Sequence, residues 1–212
     1  MTQFLDLVLP PQGSAAARPC GVVTAVVTNN QDPEKLGRVR LRYPWLSDEQ
    51  ESDWARVGMP AAGPGRGLWL PPEVGDEVLV VFAQGDQRFP YVVGALWNQN
   101  APPPEASALE RRTLRSRSGH VVRLDDTAGG EAIEIVDGSG RNSIRIATAD
   151  NAITITCDGD LTLESRQGKL VLKAAGGIEA ASRGDVSVKA KTALGLEAEG
   201  DTKVTGKNIH LN

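Results

Sequence analysis

His120 is the residue that most invites a chemical reading. It stands in Ser118-Gly-His-Val-Val-Arg-Leu-Asp-Asp126, so a hydroxyl, an imidazole and two carboxylates fall within nine residues. A nucleophile, its base and an orienting acid must converge on one point. An extended run instead alternates its side chains between two faces, so these groups stay apart. His120 is therefore expected in a structural or turn role, and Asp125-Asp126 to start a turn by accepting nearby amides. Glycosidase chemistry needs paired carboxylates at a set separation in a cleft, and no such pairing is indicated. Gly63-Pro-Gly-Arg-Gly67 lacks the Lys-Ser/Thr of a phosphate-binding loop, and no helix follows Gly138-Ser-Gly140, so both read as loops. Cys20 and Cys157 stand in different halves with no CxxC, which indicates neither a disulfide framework nor a redox motif. The expectation is a protein that is not an enzyme, with no cofactor and no metal.

Charge narrows the partners. The chain carries 23 Lys+Arg against 27 Asp+Glu, a net charge of −4. Between Pro19 and Asn98 the balance is 7 to 10, and between Thr113 and Asn212 it is 13 to 14. Nucleic-acid binders display a basic face that displaces counterions from phosphates, so no DNA or RNA partner is expected. The N-terminus lacks a basic n-region and has Asp6 inside its apolar stretch, so no signal peptide is read. The longest strictly apolar run, Val78 to Ala83, is too short to span a bilayer. With its two separated cysteines, the protein is expected to assemble in a reducing cytoplasm.

The elements that must position these groups are short strands. All nine aromatics (3 Phe, 2 Tyr, 4 Trp) precede Asn98, which implies a change of architecture partway along. Residues 1–18 read as a leader. Over residues 19–98, alternating or β-branched segments recur at Gly21–Thr28, Arg38–Tyr43, Trp54–Met59, Glu77–Ala83 and Tyr91–Trp97. Asn29 to Pro33 gives a strong turn signal, and Pro60 to Pro72 a Pro/Gly-rich loop. Five short strands in this span suggest a small barrel. Trp45, Trp54, Trp69 and Trp97 are mostly flanked by apolar residues or proline, which suits packing and subunit contacts. Residues 99–113, with Ala101-Pro-Pro-Pro104, read as a semi-rigid linker.

Residues 114–212 carry an internal repeat. From Gln167 the chain divides into eights: QGKLVLKA, AGGIEAAS, RGDVSVKA, KTALGLEA, EGDTKVTG and the partial KNIHLN. The fourth and sixth places hold Leu170/Leu172, Ile178/Ala180, Val186/Val188, Leu194/Leu196 and Thr202/Val204. With small insertions, Ile133/Ile135, Ile144/Ile146, Ile153/Ile155 and Leu161/Leu163 occupy the same places. Each unit reads as a short strand with one apolar face, then a tight bend. One such strand cannot bury its stripe alone, so copies must stack. A monomeric solenoid would leave exposed end edges. An antiparallel meander would leave one broad sheet needing a cover. Three chains wound about one axis close the stripe into a prism, and small inward residues without aromatics favour that arrangement.

In their order along the chain, these motifs resemble the spike family of contractile injection machines, which includes VgrG proteins, phage baseplate protein V and the spikes of extracellular injectors. The resemblance rests on Gly37-Arg-Val-Arg40, Trp54-Ala-Arg-Val57, Pro72-Glu-Val-Gly-Asp-Glu-Val78, Gly85-Asp86, Pro90 and Gly94-Ala-Leu-Trp-Asn98. It continues through Ser118-Gly-His120, Leu124-Asp-Asp126, Asp137-Gly-Ser-Gly140 and the eight-residue repeat. It implies an all-β chain: an OB-like barrel followed by an intertwined trimeric β-helix. It further implies a homotrimer that pierces a target envelope mechanically, with transient membrane contact, within a phage-tail-like particle. With 18 residues ahead of the barrel, the hub is expected to be a separate protein docked by the leader. A PAAR-type tip protein is expected on the three-fold end formed by Asn208, His210 and Asn212. Some relatives grip iron with a His-x-His motif, where this chain has one histidine. His210 is an axial metal candidate only if the inward register persists, and Ile209 and Leu211 argue against that. The alternative function is a β-solenoid that binds or degrades surface glycans.

The expected axial core is Ile153, Ile155, Leu161, Leu163, Leu170, Leu172, Ile178, Val186, Val188, Leu194, Leu196 and Val204. Leu172→Asp or Val188→Asp would then set three like charges on the axis and prevent trimerisation. A soluble trimer of normal thermal stability from either variant would show the register to be wrong.

Overall fold

Alternation of small and β-branched residues sets the first sheet. β1 (Val23–Asn29) turns Ala25 and Val27 inward, and β6 (Glu77–Phe82) turns Val78, Val80 and Phe82 inward. β2 (Arg40–Arg42) contributes Leu41, β7 (Pro90–Ala95) contributes Val92, and β3 (Arg56–Val57) follows the buried Ala55. The computed structural model describes residues 21–46 and 50–210, and the expected leader, residues 1–18, lies outside them. The sheet order is β2-β1-β6-β7-β3, with β3 parallel to β7. An antiparallel bridge between Val39 and Ala55 joins β2 to β3, through N–H to C=O bonds of 3.0 and 2.8 Å, so the strands form a closed barrel. Shifts of register at Val27/Asn29 and Leu79/Val80 supply the local bends that closure needs.

Two connections are fixed by side chains. Asp32, in the turn after β1, accepts the backbone N–H groups of Glu34, Leu36 and Arg38 and pairs with the Arg38 guanidinium at 2.8 Å. The Arg38 hydrogen bond and these amides hold the Asp32 carboxyl far below the usual carboxylate range. The Pro/Gly-rich loop folds into a hairpin of β4 (Ala62–Gly63) and β5 (Arg66–Gly67), turning through Pro64 and a left-handed Gly65 at φ 64°. Gly37 sits at φ 73° beneath the Trp69 ring, and a Cβ there would collide with the indole.

A second sheet follows. It comprises β8 (Arg111–Arg115), β9 (Val121–Asp125), β10 (Ala132–Val136), β11 (Ser143–Ala147) and β12 (Ala152–Thr156), paired in sequence order and antiparallel throughout. β8 begins at Arg111, inside the segment the sequence reads as linker. The units at Ile133/Ile135, Ile144/Ile146 and Ile153/Ile155 were expected in the wound part, but here they belong to this single-chain meander. The physical reason is spacing. Ile133 to Ile144 is eleven residues and Ile144 to Ile153 is nine, which leaves room for reversing turns at Asp137–Gly140 and at Asn151, whose φ is 48°.

By internal contacts the chain divides after Gly159, and each unit is described by itself. Over residues 160–210 no strand or bridge forms, and every residue is exposed.

The barrel core centres on Leu41, which is fully buried. Leu41→Ala is expected to destabilise the barrel by about 2–5 kcal/mol through lost contacts and the residual cavity. Urea unfolding followed by tryptophan fluorescence measures this, and a loss well under 1 kcal/mol would place the core elsewhere.

Candidate functional site

The meander has one satisfied face and one bare face. Pairing sets Leu114, Val122, Ile135, Ile144 and Ile155 in one cross-strand row. A second row holds Arg112, Leu124, Ile133, Ile146 and Ile153. These nine aliphatic side chains are between 40% and 70% exposed in the single chain, although strand alternation has gathered them on one face. An exposed patch of this kind marks an interaction surface.

The opposite face carries Thr113, Arg123, Glu134, Arg145 and Thr154 in register. Arg123 bonds Glu134 at 2.7 Å and is clamped from its other side by Glu105, while Arg145 reaches Glu134 at 3.2 Å. Arg111 donates to Asp125 at 2.8 Å. Alternating charges in adjacent strands attract across the ladder, so this face is stable toward water. The Arg123 hydrogen bond holds the Glu105 carboxyl below its ordinary value.

Downstream, the expected axial residues Leu161, Leu163, Leu170, Leu172, Ile178, Val186, Val188, Leu194, Leu196 and Val204 are 56–78% exposed. Their backbone takes part in no strand. Asn208 and His210 are exposed, and Asn212 lies outside the described residues. Among the described residues no group of three His, Cys, Asp or Glu side chains could hold a metal.

The residues that invited a hydrolase reading are each engaged elsewhere. His120 Nδ1 accepts the Gly138 N–H at 2.9 Å, and the His120 backbone N–H donates to Ser116 Oγ at 3.0 Å. The Ser118 hydroxyl meets Ser116 Oγ at 3.3 Å. Asp125 accepts both the backbone N–H and the hydroxyl of Thr127, the turn-starting bonds expected of it, and these hold its carboxyl at about 2. Asp126 pairs with Arg112 at 3.2 Å. Gly138 lies so close to the Ser118 carbonyl that a Cβ would collide with it. Ser118, His120 and the two carboxylates thus build two turns rather than a catalytic set.

The tryptophans were expected in packing and subunit contacts, and within the single chain three of them are not packed away. Trp45, Trp69 and Trp97 are 48%, 64% and 67% exposed. Trp54 is half-buried, with the Arg38 and Arg40 guanidiniums 5.9 and 5.1 Å from its ring centre. Arg38, Arg40, Trp54 and Arg56 alternate with the buried Val39, Leu41 and Ala55, so they share the outer surface of β2 and β3. The Trp54 and Arg56 side chains, the β4–β5 hairpin and Trp69 bound a cleft of about 890 Å³. The period-two pattern in Arg38-Val-Arg-Leu41 and Trp54-Ala-Arg56 was the signal that could have found this surface.

Residues 23–97, the span of the closed barrel, match the type VI secretion system/phage-baseplate injector OB domain. The chain is 36% identical over 140 residues to the type VI secretion system spike protein VgrG4b of Pseudomonas aeruginosa, covering 58% of this chain and 17% of that protein. It is 30% identical over 146 residues to the spike protein VgrG3 of Vibrio cholerae, covering 59% and 14%. Against VgrG1a of Pseudomonas aeruginosa it is 29% identical over 153 residues, covering 64% and 24%. The chain therefore spans between 14% and 24% of the length of these relatives. The barrel is thus similar to injector OB domains, and over 58–64% of its length the chain is similar to VgrG spike proteins.

Hydrogen bonds from Ser139 and Asn142 hold the Asp137 carboxyl at about 2, against about 3.9 for an aspartate in an unfolded chain. A carboxyl depressed on folding contributes stability that is present above about pH 4 and lost as pH falls through about 2. Asp137→Asn should therefore flatten the fall in melting temperature between pH 4 and pH 2, measured by circular dichroism. An unchanged slope would contradict the turn's role.

Proposed function

We propose that this chain is the homotrimeric central spike of a contractile injection machine, and that it acts mechanically. The observation that carries the reading is the apolar stripe over residues 160–210, at eight-residue spacing from Gln167 onward. In one chain it has neither strand partners nor cover. Burying an aliphatic side chain is worth about 1.5–3 kcal/mol, and unpaired backbone groups in extended strands seek partners as well. Three chains wound about one axis meet both demands at once. Each supplies the hydrogen-bonding edge of the next, and the three stripes close on the axis.

The single chain forms no solenoid coil over residues 160–210, so the reading as a monomeric glycan-binding solenoid has no such support. Kinship with spike proteins supports the baseplate setting. A closed trimeric prism has no free lateral edge, and bending it breaks many bonds and apolar contacts together. Such a shaft transmits compressive load to its tip without bond-breaking chemistry. The reading includes assembly inside the producing cell, a hub at the barrel end and a PAAR-type tip protein at the other.

Amide hydrogen exchange tests this at the level of the backbone. Winding predicts slow exchange at alternating amides across residues 160–210 in the assembled protein. Uniformly fast exchange over that segment would sink the proposal.

A further inference from the structure

We propose that the barrel carries a binding site for a short acidic oligosaccharide, in the cleft between β2, β3 and the β4–β5 hairpin. The site rests on the barrel alone and does not depend on the trimeric reading of the downstream segment.

Its place is the first argument. In OB barrels the outer surface of the second and third strands is where oligosaccharides and oligonucleotides bind. Here that surface bears Arg38, Trp54 and Arg56, the hairpin adds Arg66, and the segment after it adds Trp69. The cleft's volume of about 890 Å³ falls in the range of roughly 300–1,000 Å³ usual for small-ligand sites.

Its chemistry is the second. Among the described residues, three guanidiniums line the cleft and no carboxylate does. Arg38 is neutralised by Asp32 and Glu34 at 2.8 and 3.1 Å. Arg56 lies over the Tyr91 ring at 5.7 Å and, like Arg66, has no carboxylate partner among the described residues. These two planar forks fit the bidentate geometry of a carboxylate. Trp69 offers the apolar complement. One side of its ring covers Gly37 and the residue is 64% exposed, so ring surface remains for the C–H face of a sugar.

The same geometry argues against other occupants. A single-stranded nucleic acid needs successive open rings and a basic track. Trp54 is already capped by two guanidiniums, which leaves Trp69 as the open ring, and the barrel region carries 7 basic against 10 acidic residues. A peptide adding as a strand needs a free sheet edge. The Val39–Ala55 bridge and the β3–β7 pairing use those edges, and β4 and β5 are two residues each.

The test titrates the full chain with tetragalacturonate, neutral maltotetraose and oligothymidylate at low salt, read by tryptophan fluorescence and calorimetry. Assembly mass is recorded on the same samples, so that loss of the trimer is distinguished from loss of the site. Tetragalacturonate is expected to bind about tenfold more tightly than maltotetraose. Arg66→Gln and Trp69→Ala should each weaken it about fivefold or more, with the far-ultraviolet spectrum unchanged. Equal affinity for the neutral sugar would overturn the proposal, as would tighter binding of oligothymidylate. So would no binding at millimolar concentration, or binding unaffected by Arg66→Gln.

Discussion

An apolar stripe that one chain gathers but does not cover is the constraint on which the second half of this protein depends. Nine aliphatic side chains on the meander and ten more downstream are held at 40% exposure or above. Large exposed apolar patches are rare on stable monomers and mark surfaces of association. The charged face of the meander sharpens the point. Arg123, Glu134, Arg145 and Glu105 are bonded to one another there, so that face needs no partner. The asymmetry between a satisfied face and a bare one gives the sheet a direction in which to associate.

The barrel solves the same problem within one chain. Its closure at Val39 and Ala55 leaves a core of small and medium residues, with the Tyr43 and Phe82 rings 5.8 Å apart near its end. The loops are then fixed locally, by Asp32 binding three amides and by the indole of Trp69 resting on Gly37. A domain built in this way is rigid without help from neighbours. It suits the barrel end of the assembly proposed above. Kinship with the injector OB domain and with VgrG spike proteins fits that division of labour.

Much of this was legible in the sequence because period-two alternation is a strong signal. The barrel strands, the Asp32 turn and the Asp125 and Asp137 turns lie where alternation and turn chemistry place them. Three features were not legible. The isoleucine pairs at 133–155 look like the octads downstream, because both present two aliphatics at alternate positions. The one- to three-residue differences in spacing, which decide between reversing and winding, are a weak signal. β8 was hidden because Arg111-Arg-Thr-Leu-Arg115 is mostly charged and owes its strand to pairing with β9. The exposure of Trp45, Trp69 and Trp97 in the single chain was the third, because apolar flanks in sequence say little about exposure once a loop folds into a hairpin. The Arg–Trp cleft is the consequence. Its residues come from three separate segments, and only the barrel's closure brings them together.

The central claim is that three chains complete one another, and the absolute mass in solution tests it most directly. Light scattering after gel filtration should give three times 22.5 kDa, stable to dilution. A single species at 22.5 kDa would contradict the account, because a lone chain would then have to keep its whole apolar stripe in water.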